Sequence, residues 1–141
     1  MIVVDSSLIG AFILKEEGWE DYAGTLENAL TVDHAIKEVG NAIWKAYIRK
    51  HIGLEDVKIK FEALKKLFSK NLTTFPEMEL LEGAMDIALS HKIPIYDSLY
   101  LALALIKGAS FSSLDETQLS IARKLGVPII QAATPKREMK P

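Results

Sequence analysis

The chain has 141 residues, of which 49% are hydrophobic and 26% charged, enough for one domain with a sizeable buried core. It has no cysteine, which excludes disulfides and thiolate-bound zinc or iron–sulfur sites. A net charge of −2 weighs against a broadly basic nucleic-acid-coating surface, but a local cluster of carboxylates holding cations would change that balance at one place.

Ile2-Val3-Val4 is a short β-branched run that reads as a buried strand, and Asp5 ends it. That run is too short for a signal peptide, and the longest apolar stretch, Leu99 to Ile106, falls well short of the ~20 residues that span a bilayer. A cytoplasmic protein with no membrane association is expected. Ser6 or Ser7 is placed to cap a helix through Leu8, Ile9, Phe12 and Ile13. Gly18 breaks it, and a second helix is predicted through Trp19, Tyr22, Leu26 and Ala29. Leu30-Thr31-Val32 is the next strand, with Asp33 as the cap of the helix that follows.

That helix, His34 to His51, is clearly amphipathic, with Ile36, Val39, Ile43 and Tyr47 on one stripe. Gly53 separates it from a helix over Glu55 to Ser69. Leu72 to Phe75 has strand character, and Pro76 opens a helix through Leu80, Ala84 and Ile87. Ile93-Pro94-Ile95 reads as a connector. Asp97 or Ser98 then caps an apolar helix to Ile106, closed by Gly108. Ala109 to Leu114 is a strand, Asp115 caps a helix to Leu125, Gly126 stops it, and Val127 to Ile130 is a last strand. The organisation expected is one domain over 1–131 and a polar tail over 132–141.

Short apolar strands alternating with longer helices predict an α/β layered fold with a mostly parallel sheet. Ligands bind such sheets beyond the carboxyl ends of the strands. Asp5 ends the first strand, Asp115 lies just past the strand Ala109 to Leu114, and Asp97 begins the helix leading into that strand. Glu38 lies one turn into the helix after the second strand. All four therefore map to one edge of the sheet.

Carboxylates packed so closely raise one another's pKa, and a hard divalent cation relieves the repulsion. Mg²⁺ fits an all-oxygen, partly hydrated site, and Mn²⁺ also suits. Such an ion lowers the pKa of bound water and stabilises charge on a phosphate oxygen, which points to phosphodiester hydrolysis. Each acid has a structural alternative as well. Asp5, Asp97 and Asp115 are good helix caps, and Glu38 is a first-turn acid that favours the helix dipole. Their shared edge is what makes them a candidate site.

Other features carry less. His34, His51 and His91 lack ligand spacing, and no phosphate-binding glycine loop or nucleophile elbow occurs. Tyr96 and Tyr100 are core or rim aromatics able to stack on a base. Lys45, Arg49 and Lys50 form a basic patch that also reads as a solvated face; Lys136, Arg137 and Lys140 lie in the tail.

The segments MIVVDSS, HAIKEVGNAIWKA, IPIYDSLYLALA, FSSLDETQL and LGVPII, in that order, resemble the PIN-domain family, and within it the VapC toxins of prokaryotic toxin–antitoxin pairs. The resemblance implies a three-layer α/β/α sandwich and cleavage of single-stranded RNA with Mg²⁺ or Mn²⁺. It implies that Asp5, Glu38 and Asp97 are the core acids and Asp115 completes the quartet. Ser6 and Asn41 would support the site, as would Ser113, which stands where the family often has threonine. Glu116 follows Asp115 and is a further candidate for the metal. Lys45 and Arg49 are candidate RNA-phosphate contacts. A homodimer is expected, also because Phe12, Trp19 and Trp44 suggest surplus apolar surface, and so is a VapB-type antitoxin partner.

Two other aspartate-based classes fit less well. A haloacid-dehalogenase-like phosphatase wants Asp-x-Asp after the first strand, where residue 7 is Ser. A receiver domain wants extra acids near the first strand and a lysine after the last. Within the PIN family, a processing nuclease that is not a toxin, or an inactive RNA- or protein-binding domain, remains open from the residues alone.

Overall fold

The computed structural model describes residues 1–132. Four short parallel strands form its sheet: β1 (Ile2–Val4), β2 (Leu30–Val32), β3 (Thr73–Phe75) and β4 (Ser110–Ser112), in the order β3-β2-β1-β4. The registers are in phase, with Val3 beside Phe111 on one side and Leu30 on the other. Seven α-helices flank the sheet: α1 (Ser6–Ile13), α2 (Ala23–Leu26), α3 (Ala35–Ile48), α4 (Leu54–Lys70), α5 (Leu81–His91), α6 (Ile95–Lys107) and α7 (Glu116–Lys124). The α/β layered fold with a parallel sheet, expected from strand–helix alternation, is the observed architecture.

Strands this short hold because they are buried. Val3, Val4, Val32 and Phe111 are fully enclosed and belong to one continuous core with Leu8, Ile9, Leu64, Leu80, Leu101 and Leu103. Helix α6 supplies much of it. It packs on α5 and on β1, β2 and β4, and its residues from Ser98 to Ala104 are all buried. A helix that is apolar all round is a core helix, which accounts for the run of Leu and Ala.

The strand order places the site. The chain adds β2 and β3 to one side of β1, then returns to lay β4 on the other. The crevice beyond β1 and β4 is the point where the order reverses, the usual ligand position of an open parallel sheet.

Several local expectations change. Asp5, not Ser6 or Ser7, occupies the N-cap of α1, its Oδ1 accepting from the Leu8 N–H at 3.3 Å. Asp33 caps nothing in α3. Its Oδ1 accepts from the Glu77 N–H at 3.1 Å and so fixes the 3₁₀ turn Glu77–Glu79 after Pro76. Neither Asp97 nor Ser98 caps α6, because Pro94 already stands at its N-cap with an extended backbone (φ −60°, ψ 151°). Pro94 supplies the carbonyl that the Ser98 N–H and hydroxyl both bond, so the helix begins three residues earlier than a cap at Asp97 would place it.

The helix expected from Trp19 resolves into a 3₁₀ turn, Trp19–Tyr22, followed by the short α2. Gly53 is the N-terminal flank of α4, because α3 already stops at Ile48. Val127 to Ile130 forms no strand. It contributes one bridge between Phe111 and Ile129, in which Pro128 offers only its carbonyl. Of the expected tail, Ala132 is still buried at the margin of the core, and 133–141, with Lys136, Arg137 and Lys140, lie outside the described residues.

Candidate active site

Asp5, Glu38, Asp97 and Asp115 line one cavity of about 370 Å³ at the β1–β4 crevice. Each arrives on a different element: Asp5 at the end of β1, Glu38 on the first turn of α3, Asp97 on the first turn of α6, and Asp115 at the N-cap of α7. The gathering of all four at one edge, expected from their places in the chain, is what the geometry has.

Asp5 is the most enclosed of them, 1% exposed. Its Oδ1 accepts from the Ser7 hydroxyl at 2.7 Å, and its Oδ2 accepts from the Ser113 hydroxyl at 2.6 Å and the Gln118 amide at 3.0 Å. Burial nevertheless dominates and pushes its pKa up to about 6, with the nearby Asp115 adding to the rise and the serine bonds opposing it. Ser113 also accepts from the Asp115 N–H at 2.9 Å, and Ser7 accepts from the Leu114 N–H at 3.0 Å. These bonds stitch the end of β1 to the end of β4 across more than a hundred residues of chain.

Asp115 caps α7 through Oδ1, accepting from the Thr117 and Gln118 N–H groups at 2.9 and 3.3 Å. Capping and facing the cavity coexist in one side chain. Glu38 is held differently: its Oε1 accepts from the buried Tyr100 hydroxyl, to which Ser6 is also bonded. Burial, then the Glu38 charge, keep that phenol protonated far above any working pH. Ser6 therefore supports the site by way of Tyr100.

Asp97 is half-buried and makes no hydrogen bond or ion pair among the described residues. Burial raises its pKa first, and the charges of Asp115 and Glu38 raise it further. None of the four acids has a lysine or arginine as an ion-pair partner among the described residues.

Four carboxylates around one space, with no protein cation between them, form an all-oxygen donor set suited to a hard divalent ion. Among the described residues no three acidic or imidazole groups sit close enough to enclose an ion together. The fit is thus to a partly hydrated ion touched by one or two carboxylates, the habit of magnesium.

Other candidates fall elsewhere. Asn41 lines a neighbouring cavity with His34, Lys37, Tyr96 and the shared Glu38. Lys45 and Arg49 are exposed near the far end of α3 and line neither space. Glu116 turns away to Arg123, 3.5 Å distant, and lines a separate cavity with Leu119 and Ile130. The sequence reading gives no site role to Gln118 or to a fifth acid at the cavity wall, Glu16, and takes Ser7 for a helix cap and Tyr100 for a core or rim aromatic, where the structure has them bonded to Asp5 and Glu38. The spacing carried a signal for two of them: Gln118 is three residues after Asp115 and Tyr100 three after Asp97, one helical turn in each case.

The family is settled by comparison with known proteins. A PIN-domain family model matches residues 2–124, and the chain belongs to the PIN-domain family. Among characterised relatives, the chain is 33% identical over 117 residues to ribonuclease VapC3 of Pyrobaculum aerophilum, spanning 81% of this chain and 88% of that protein. Its fold matches the crystal structure of PAE2754, also from Pyrobaculum aerophilum, with a TM-score of 0.67 and 22% identity over 93% of this chain and 90% of the other. It likewise matches Mycobacterium tuberculosis VapC20, a toxin that cleaves the sarcin-ricin loop, with a TM-score of 0.62 and 17% identity over 85% and 94% of the two chains.

Proposed function

We propose that this protein is a divalent-metal-dependent endoribonuclease of the VapC type, hydrolysing phosphodiester bonds of single-stranded RNA at the β1–β4 cavity. The observation that carries this reading is the convergence of Asp5, Glu38, Asp97 and Asp115, from four elements, on one space with no protein cation among them from the described residues. The homology to a ribonuclease VapC supports the choice of RNA. An all-oxygen set selects Mg²⁺ or Mn²⁺.

When bound, the ion supplies Lewis-acid stabilisation of phosphate charge and a more acidic water. The chain supplies the arrangement. Asp5, Glu38 and Asp97 hold the ion, directly or through water. Ser7, Ser113 and Gln118 fix both oxygens of Asp5, and Tyr100 fixes Glu38, so neither carboxylate must reorganise when RNA arrives. Asp115, steadied by its cap bonds, orients the attacking water or helps to hold a second ion. Lys45 and Arg49 are assigned to phosphates of the strand beyond the cavity.

A toxin's role, with a VapB-type antitoxin as inhibitor, a homodimer and action in the cytoplasm are parts of the same reading. In keeping with this, no helix among the described residues is long and apolar enough to cross a membrane.

Asp97 is the best residue for the test, because it holds no cap and no hydrogen bond whose loss would disturb the fold. Asp97→Asn is expected to lower cleavage of single-stranded RNA in Mg²⁺ at least 100-fold (about 2.7 kcal/mol of activation free energy), with a melting temperature no lower than that of wild type, because burial and the Asp115 and Glu38 charges disfavour the Asp97 carboxylate. Equal cleavage by Asp97→Asn and wild type would end the proposal.

A further inference from the structure

Next to the acidic cavity, and sharing Glu38 with it, is a second space of about 300 Å³ lined by His34, Lys37, Asn41 and Tyr96. Tyr96 precedes Asp97 on α6 and is 55% exposed. Its ring stacks on the His34 imidazole, with centroids 5.2 Å apart and planes 17° from parallel. The buried His34 Nδ1 has no hydrogen-bond partner, so stacking, not a bond at that nitrogen, holds the imidazole in place. The pair ties the start of α3 to the start of α6 and presents a preset aromatic platform at the rim of the acidic site.

From this juxtaposition we infer that the His34–Tyr96 stack is a subsite for an unpaired nucleobase, seating the base of a nucleotide next to the cleaved phosphate. The inference rests on the ribonuclease reading above. An exposed aromatic ring suits any base, because every base has a π-face, and single-stranded nucleic acids are gripped by such platforms. A platform already stacked loses little freedom when a base adds to it.

The surroundings suit the rest of a nucleotide. The Asn41 amide carries both donors and an acceptor for a base edge. The Lys37 side chain is two-thirds exposed, with its ammonium 3.7 Å from Glu77, and lines the same space, where it can meet a backbone phosphate. Because Glu38 belongs to both cavities, a base seated here puts its own phosphate at the acids. A duplex cannot offer a base in this way, so the subsite selects unpaired RNA.

The test is binding of a short fluorescein-labelled oligoadenylate, followed by anisotropy in Mg²⁺. The Asp97→Asn protein serves as the non-cleaving background, with Tyr96→Ala or Tyr96→Phe added. Tyr96→Ala should weaken binding about tenfold, the contribution of one stacked base, while the protein stays folded at the temperature of the assay. Tyr96→Phe, which keeps the ring, should bind within about twofold of the Tyr96 protein. An oligomer of the same length with abasic nucleotides should bind the Tyr96 protein as weakly as the intact one binds Tyr96→Ala, and should not distinguish the two proteins.

Intact oligomer bound equally by both proteins would overturn the subsite, as would an equal loss by Tyr96→Ala for intact and abasic oligomers. The ribonuclease reading fails separately: wild type that binds the oligomer and cuts no RNA in Mg²⁺ removes the activity while leaving the base platform measured.

Discussion

Asp5 is a carboxyl group whose folded environment favours the proton. Its ordinary pKa is 3.8 and its folded value is about 6, so between those values the folded chain binds more protons than the unfolded one. The contribution to stability is therefore most favourable below about 3.8, falls as pH rises, and is fully lost above about 6, a cost of about 3 kcal/mol. Asp5→Asn removes the ionisation. The Gln118 Oε1, buried without a partner beside Asp5, gives the new amide an acceptor once the Gln118 side chain turns over. In metal-free buffer the variant should match wild type near pH 4 and exceed it by up to about 3 kcal/mol near pH 8, read by urea denaturation at each pH. A variant less stable than wild type at both pH values would contradict this account. Because Asp5 is ionised at pH 8 and largely protonated at pH 4, a divalent ion should stabilise wild type more at pH 8 than at pH 4.

Helix α6 serves two purposes at the scale of an element. Its first turn brings Asp97 and Tyr100 to the cavity, and its body fills the space beside the sheet. Leu103 is fully buried there. Leu103→Ala should lower stability by about 2–5 kcal/mol through lost burial and a residual cavity, measured as a shift in denaturation midpoint with an unchanged slope. A loss below about 1 kcal/mol would mean that α6 is not the core element described.

How much of this was legible in the sequence follows from what is local. Strand β1 with Asp5, the amphipathic α3 with Glu38, and Asp115 as the cap of α7 are written in short stretches of chain. Ser7 and Gln118 could be named but not assigned, because their partners are set by the docking of β4 on β1, more than a hundred residues apart. Pro94 was read as a break when it starts α6, because the N-cap of a helix tolerates a residue without an N–H. Val127 to Ile130 looked like a strand by its apolar run, yet Pro128 allows only a bridge.

Across the whole molecule, the apolar surface is unevenly spent. Phe12 and Trp19 satisfy each other, edge to face at 5.7 Å. Trp44 remains 55% exposed on α3 with Tyr47 and Ile48, and Met85, Leu89, Leu105 and Ile106 are exposed on α5 and α6. That surplus favours self-association. Light scattering at micromolar concentration should give about 31 kDa, twice the 15.7 kDa of one chain; a mass of one chain would refute the dimer.

The strand order has a consequence for how such a protein is made. The crevice lies between β1, the first strand to leave the ribosome, and β4, nearly the last. Asp5 waits through more than a hundred further peptide bonds before Ser113 and Asp115 reach it. Translation at about 5–20 residues per second makes that a delay of about 5–20 s. The four acids come together only once β4 has docked on β1, so the site is a product of the completed sheet and of no single segment of chain.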